Sequence, residues 1–280
     1  MDLLVGYDGS PAANTAIRVG TKLFPAAHAL ITLVRTPPFA GRDVRRRLRL
    51  TASNVAELSE SVEREGEFEA RLVLETGLAL ARAGGWNAEP FLKQAWGGEG
   101  VGLAQLAEEH QPKAVLVGSR GLTGSDAALG SVSELLVLHS TRPVLVTRQT
   151  LLIAEYEALD NGPVVVGFDQ SEGAATAVAT AQGLFPSRKI LAVSVAADDA
   201  AQPSTTPPEG VTVIDASAHR GRGAGATADA LIGVAESHGA AAIVVGSRGR
   251  SKMRQVLLGS VARSVLHGSH RPVVVVPHAK

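Results

Sequence analysis

Residues 114–147 read AVLVGSRGLTGSDAALGSVSELLVLHSTRPVLVT, and residues 242–277 repeat this pattern as AIVVGSRGRSKMRQVLLGSVARSVLHGSHRPVVVVP. Each copy predicts an apolar strand, a Gly-Ser-Arg-Gly turn, a polar loop, Gly-Ser at a helix start, and a second apolar strand after Arg-Pro. A glycine-rich turn after a strand, followed by Gly-Ser at a helix start, is how a backbone surrounds phosphate oxygens. The repeat therefore predicts two phosphate-binding turns.

The repeat extends over nearly the whole chain. The segment 3–10 matches 164–171, and in both copies an Ala-rich helical segment and a second strand follow. A chain of 280 residues also favours two domains. We therefore predict one domain at 1–148, a linker at 149–162 and a second domain at 163–280.

The two copies differ in length. Gly6 and Gly167 lie 161 positions apart, whereas Gly118 and Gly246 lie 128 apart, so the second copy is 33 residues shorter between its first strand and its glycine turn. In the first copy that interval holds a charged helical stretch, about 42–82. In the second copy the corresponding place is rich in Pro, Ser and Thr, so we expect its second helix to be missing.

Strands alternate with helical patterns in both copies, which favours βαβ units and a parallel sheet. The predicted fold class is α/β, with two tandem doubly wound five-stranded parallel sheets of strand order 3-2-1-4-5. The apolar runs 114–117 and 273–276 suit strands that are buried on both faces. Without its second helix, the second domain should expose an apolar face. We expect the first domain, the linker or another subunit to cover that face, unless the third strand is displaced or absent.

Sheets of this order bind ligands at the carboxyl ends of the strands where the order reverses, between strands 1 and 4. The turn after strand 1 carries Asp8 or Asp169, and the turn after strand 4 carries Gly-Ser-Arg-Gly. A carboxylate at this point is able to accept hydrogen bonds from a ribose, although Asp also favours simple turns. Ser131 or Ser260 is suited either to cap its helix or to bind phosphate.

With these residues in view, both copies resemble the universal stress protein family. The ATP-binding branch of that family is marked by Gly-x2-Gly, nine residues, and then Gly-Ser or Gly-Thr. The second copy fits with Gly246, Gly249 and Gly259-Ser260, whereas the first copy has only eight residues between Gly121 and Gly130. The resemblance implies an adenine nucleotide alpha hydrolase-like fold and ATP, with or without magnesium, as the ligand.

Carried over by position, the family's ATP-binding residues fall mainly in the second copy: Gly167, Phe168, Asp169, Val195, Gly246, Arg248, Gly249, Gly259, Ser260 and Val261. A second candidate site in the first copy has these residues: Gly6, Tyr7, Asp8, Arg35, Gly118, Arg120, Gly121, Gly130, Ser131 and Val132. Arg35 departs from the aliphatic residue usual in the family, and its side chain is expected to crowd this site.

Other patterns give weaker signals. The arginines at 42, 45, 46, 47 and 49 are typical of a solvated helix face. Arg250, Lys252 and Arg254 follow the second glycine turn, where they would either screen phosphates or be solvated. The glycine-rich stretch 97–102 precedes a helix, and so it favours a flexible helix start over a dinucleotide site.

Composition excludes several classes of function. The chain has no cysteine, which excludes disulfides and thiol catalysis, and its 27 basic residues balance 27 acidic ones, which argues against nucleic acid as a partner. The start, MDLLVGYDGS, lacks a signal-peptide pattern, and no apolar stretch reaches membrane-spanning length. We therefore expect a cytoplasmic protein with no membrane partner.

Three functions are compatible with these patterns. The first is a tandem ATP-binding protein with a regulatory or stress-response role. The resemblance implies that its two domains form a pseudo-dimer through their last strands. This protein is also a candidate for homodimerisation. The second is a nucleotide-free protein that acts through protein–protein interaction. The third is a slow nucleotide hydrolase, which is disfavoured because the chain shows no Walker motif and no metal-ligand pair or catalytic triad.

Overall fold

A computed structural model of the chain describes residues 1–36, 40–119, 129–196, 210–218, 223–247 and 258–278. Within these ranges the strands are β1 Asp2–Gly6, β2 His28–Arg35, β3 Asn87–Gln94, β4 Ala114–Gly118, β5 Val144–Thr147, β6 Val164–Gly167, β7 Ile190–Ala196, β8 Val211–Ser217, β9 Ala242–Gly246 and β10 Val273–Val276. The helices are α1 Pro11–Leu23, α2 Arg42–Thr51, α3 Val55–Ala83, α4 Glu99–His110, α5 Ser131–His139, α6 Ile153–Asn161, α7 Glu172–Leu184, α8 Ala224–Ser237 and α9 Ser260–Gly268.

The described strands form one sheet of ten, in the order β3-β2-β1-β4-β5-β10-β9-β6-β7-β8. Each half has the predicted order 3-2-1-4-5, and all strands within a half are parallel. The central strands are apolar and buried because helices cover both faces of the sheet. The predicted α/β class with two five-stranded parallel sheets is confirmed.

The helices divide between the two faces of the sheet. One core contains Val19 of α1, Leu74 of α3 and Ala177 of α7. The opposite core contains Leu106 of α4 and Leu136 of α5, together with buried residues of α8 and α9. This division is what right-handed crossover connections produce in a doubly wound sheet.

The two halves join through their last strands. β5 and β10 pair antiparallel, with Leu145 opposite Val274, and both side chains are fully buried. On the same side of the sheet, the rings of Phe24 and Phe185 stack with centroids 5.3 Å apart. Phe24 and Phe185 are the C-cap residues of α1 and α7, the first helix of each half, so the two halves contact each other through equivalent residues.

The segment predicted as a linker contains a helix, α6, which packs against α1. Leu159 is fully buried in the core, and the Lys22 ammonium of α1 lies 2.5 Å from a carboxylate oxygen of Asp160. The side chain of Glu155 accepts the Leu152 N–H at 2.8 Å and so satisfies a donor at the helix start. The connection between the halves is therefore an ordered part of the fold.

The charged stretch 42–82 forms two helices rather than one. The chain breaks after α2, and Asn54 then caps α3 by accepting the Glu57 N–H at 2.9 Å. Glu57 accepts the Ser53 N–H in return, at 2.8 Å. α2 has no buried residue, which agrees with the interpretation of its five arginines as a solvated face.

The third strand of the second half is present as β8, paired in register with β7, so the alternative that it is displaced or absent is wrong. The predicted loss of a helix between β7 and β8 falls on 197–209, which lie outside the described residues. On the strand face that this helix would cover, Val213 is 38% exposed and Asp215 and Ser217 are also exposed. The described part of β8 thus exposes a largely polar face, and a covering partner stays a prediction.

None of the helices in the described ranges combines the length and the apolar character needed to cross a bilayer.

The junction between the halves gives the first testable prediction. Leu145→Ala would leave a cavity where β5 meets β10, so we expect the free energy of unfolding to fall by about 2–5 kcal/mol. Leu152→Ala is the matched control, because Leu152 is 70% exposed and its loss should change stability by less than about 0.5 kcal/mol. Urea denaturation of both variants measures the difference, and equal effects would contradict the assigned core.

Candidate functional site: two equivalent clefts

Each half has a cleft at the carboxyl ends of its central strands, where the strand order reverses. β1 lies between β2 and β4, and β6 lies between β7 and β9. The chain leaves β1 and β4 toward opposite faces, so the ends of these two strands diverge and leave a crevice. The equivalent crevice in the second half lies between β6 and β9.

The second cleft has a volume of about 260 Å³. Its described lining includes eight of the predicted ATP-binding residues: Gly167, Phe168, Asp169, Val195, Gly246, Gly259, Ser260 and Val261. Arg248 and Gly249 lie outside the described residues, as do Arg250, Lys252 and Arg254. Every predicted residue of this site that the structure describes therefore lies at one cleft.

The first cleft has a volume of about 320 Å³. Of the residues predicted for it, six line it: Gly6, Tyr7, Asp8, Arg35, Gly118 and Val132. Gly130 and Ser131 are described but are not among its lining residues, and Arg120 and Gly121 lie outside the described ranges. The first cleft thus brings together the strand ends without the Gly-Ser pair at the helix start.

The aspartates after β1 and β6 form equivalent turns. Asp8 Oδ1 accepts the Ser10 N–H at 2.9 Å, and Asp169 Oδ1 accepts the Ser171 N–H at 3.0 Å. Each of these aspartates also lines the cleft of its own half. The turn-forming role and a ligand-binding role are therefore compatible at these positions.

The aromatic residues before these aspartates contribute mainly their backbone. Tyr7 is 3% exposed, and its hydroxyl donates to Asn14 Oδ1 at 2.7 Å. Burial, aided by the negative charge of Asp8, raises the pKa of the Tyr7 hydroxyl, so this group stays protonated at neutral pH. Phe168 is also buried, and so neither ring is an open surface on which a base would stack.

The strand register corrects one predicted correspondence. β1 pairs Gly6 with Thr32, and β6 pairs Gly167 with Val193. Val34 lies two residues after Thr32, and Val195 lies two residues after Val193, so Val34 is the counterpart of Val195. Arg35 was assigned one position too far along the strand, so the first copy does have the aliphatic residue expected at this site.

The Arg35 side chain is directed toward α3. Its guanidinium donates to the Gly66 carbonyl oxygen at 2.8 Å. Burial lowers the pKa of Arg35 and the nearby carboxylate of Glu69 opposes that shift, so the positive charge is retained. Arg35 still contributes to the cleft wall, but part of its hydrogen-bonding capacity is used by α3.

The Gly-Ser pairs begin α5 and α9 in the same way. Gly130 and Gly259 are the N-cap residues, and neither cap has a side-chain hydrogen bond. The Gly130 N–H donates to Ser119 O at 2.7 Å, and the Gly259 N–H donates to Ser247 O at 2.8 Å. The described residues that flank the two loops are therefore joined by the same hydrogen bond in both halves. The serine that follows each glycine is the first helical residue rather than a cap.

A profile of the universal stress protein family (Usp) matches residues 1–148 and 213–277, which together are most of the chain. The chain belongs to the universal stress protein family. Both halves contribute to the match, as the sequence resemblance predicted.

Individual relatives support the same fold. A universal stress protein of Archaeoglobus fulgidus DSM 4304 superposes with a TM-score of 0.66 at 20% identity, over 100% of this chain and 97% of that one. The protein PA1789 of Pseudomonas aeruginosa PAO1, described as functionally unknown, superposes with a TM-score of 0.56 at 12% identity, over 99% of this chain and 92% of that one. Universal stress protein MJ0577 of Methanocaldococcus jannaschii is 39% identical over 46 residues, which are 16% of this chain and only 28% of that protein.

Sequence reasoning missed several residues of the clefts of this universal stress protein. Helix positions contribute to both walls: Glu99 and Leu103 of α4 in the first cleft, and Thr227 and Leu231 of α8 in the second. The 128-residue offset between the glycine turns also relates these pairs, so it was the available signal. The stretch 97–102 is a helix start, as predicted, because Gly98 is the N-cap of α4.

The close packing under the first cleft gives a second prediction. A Cβ at Gly118 would lie 2.6 Å from the backbone carbon of Ala12, so Gly118→Ala forces α1 away from β4. We expect a loss of about 1–3 kcal/mol in the free energy of unfolding. Gly183→Ala is the control, because Gly183 lies in α7 with nothing within 4 Å, and alanine there should add about 0.5–1 kcal/mol. Thermal melts of both variants measure these changes in stability. A Gly118→Ala variant as stable as the wild-type protein would contradict the described contact.

Proposed function

We propose that this universal stress protein binds ATP in its second cleft and acts as a regulatory or stress-response module. The observation that carries the proposal is the lining of that cleft. The start of α9, with Gly259, Ser260 and Val261, lies in the same cleft as Asp169 and Gly246. A phosphate-binding element and a ribose-binding carboxylate are thereby combined at one site.

The phosphate half of the proposal rests on the helix start. Unpaired N–H groups and the helix dipole make the beginning of a helix favourable for anions. Gly246 and Gly259 carry no side chain, so a phosphate oxygen is able to approach the backbone closely. Loop cations from 250–254 would add to this attraction, and their role stays a prediction.

The nucleoside half rests on the opposite wall. Val193, Val195 and Leu231 provide an apolar surface for a base, and the backbone at Val195 provides polar groups for its edge. The Asp169 carboxylate is suited to accept hydrogen bonds from ribose hydroxyls. Together the two halves of the cleft fit an adenine nucleotide.

We propose binding rather than efficient catalysis. The sequence has no Walker lysine motif and no evident base to activate water, so any hydrolysis of ATP should be slow. Phosphate release from Mg-ATP measures this directly, and steady turnover well above the uncatalysed rate would overturn this part of the proposal.

Calorimetric titration with Mg-ATP tests the site itself. We expect Asp169→Ala to weaken binding about 10- to 100-fold, because it removes a charged acceptor for the ribose. Asp8→Ala is the matched control, since it removes the same turn hydrogen bond from the first half and should leave ATP affinity unchanged. Gly246→Val combined with Gly259→Val should abolish binding.

Two outcomes would refute the proposal. If the intact protein gave no heat with Mg-ATP, it would be a nucleotide-free interaction protein instead. If Asp8→Ala caused the same loss as Asp169→Ala, the second cleft would not be the principal site.

A further inference from the structure

The two clefts differ in charge at one position of the helix wall. Glu99, the first residue of α4, lines the first cleft, and Thr227 occupies the equivalent position of the second. Leu103 and Leu231 confirm this equivalence, because each lies one helical turn further along the same wall. A carboxylate in one cleft thus corresponds to a neutral hydroxyl in the other.

Glu99 stands beside the helix that would bind phosphate in the first half. Its neighbour Gly100 packs so tightly on α5 that a Cβ there would lie 2.5 Å from the carbonyl oxygen of Val132, in the first turn of α5. Glu99 is half-buried, and no basic side chain forms an ion pair with it in the described part of the chain. Glu99 therefore places a carboxylate next to the phosphate end, and Arg35, a cation of the same cleft wall, donates to the Gly66 carbonyl oxygen of α3.

The start of α5 also lines its cleft through fewer residues than the start of α9 does. Gly259 and Ser260 line the second cleft, whereas Gly130 and Ser131 do not line the first. Inside the first cleft the Ser133 hydroxyl donates to the Gly118 carbonyl oxygen at 2.7 Å, so it is already used within the protein. The phosphate end of the first cleft thus carries a carboxylate that the second lacks, beside a serine hydroxyl that is already used.

The nucleoside end of the first cleft keeps the features of the second. Asp8, Val34 and Leu103 line it as Asp169, Val195 and Leu231 line the second cleft. We propose that the first cleft binds an uncharged adenine nucleoside and rejects nucleotides, with Glu99 as the residue that discriminates between them. This inference rests on the proposed function, because it places phosphates at the starts of α5 and α9.

Repulsion between Glu99 and a phosphate is large enough to set this preference. Two like charges about 6 Å apart at a partly exposed site repel by enough to weaken binding roughly tenfold or more. The same carboxylate does not oppose an uncharged nucleoside.

Tryptophan fluorescence reports on the first half alone. Trp96 is 80% exposed and lies three residues before Glu99, whereas Trp86 is 3% exposed and its indole N–H donates to Phe24 O at 2.8 Å. The chain has only these two tryptophans, and the second half has none. We expect adenosine to change the emission of the intact protein, and Mg-ATP to do so only at concentrations about tenfold higher or more. Trp96→Phe should remove the signal.

Substitutions at the discriminating position complete the test. Glu99→Gln keeps the size of the side chain and removes its charge, so the first cleft should gain about tenfold in affinity for Mg-ATP with adenosine affinity unchanged. Thr227→Glu is the reciprocal variant and should weaken calorimetric Mg-ATP binding at the second cleft about tenfold.

Several results would overturn the inference while leaving the proposed function intact. These are the absence of adenosine binding, equal responses of wild-type Trp96 to ATP and adenosine, or no gain in Glu99→Gln. A loss of Mg-ATP affinity in Glu99→Gln would also overturn it, since the carboxylate would then be holding the metal of Mg-ATP. Failure of the proposed function is separate, because it is the absence of Mg-ATP binding at the second cleft of the wild-type protein.

Discussion

The antiparallel pairing of β5 with β10 constrains the rest of the molecule. Strands within each half are parallel, so each cleft must lie at the carboxyl ends of its own strands. Because the junction is antiparallel, the strands of the two halves run in opposite directions. The two clefts therefore open at opposite ends of the strands. The pairing also covers the two strand edges that separate halves would expose, where unpaired backbone groups invite aggregation.

Side chains from both halves reinforce this junction. The stacked rings of Phe24 and Phe185 relate equivalent helix ends, and α6 packs against α1 beside them. Arg148, just after β5, donates to the Ser269 carbonyl oxygen at 2.8 Å and also to the His267 carbonyl, at the end of α9. A cation at that end of a helix is favourable, so the first half stabilises the helix whose start lines the second cleft.

The sequence predicted the fold because its repeat allowed one half to check the other. The described residues predicted for the second cleft came from the family resemblance, which places them at strand ends and at the start of α9. Sequence reasoning failed where register or tertiary packing decides: Val34 and Arg35 both stand at a strand end, and only the hydrogen-bond ladder assigns Val34 as the counterpart of Val195. The helix α6 was missed because its pattern is weak, and its burial comes from contact with α1. Glu99 was not predicted as a cleft residue because it lies in the glycine-rich stretch 97–102, which was interpreted only as a helix start.

The two halves belong to one polypeptide, and α6 connects them. In a dimer of identical chains, every substitution in a binding site appears twice, so the two sites must remain the same. In a single chain the two sites are encoded by different residues, so one site is able to change while the other stays the same. The pair Glu99 and Thr227 is a difference of this kind, which the symmetry of a dimer of identical chains would forbid.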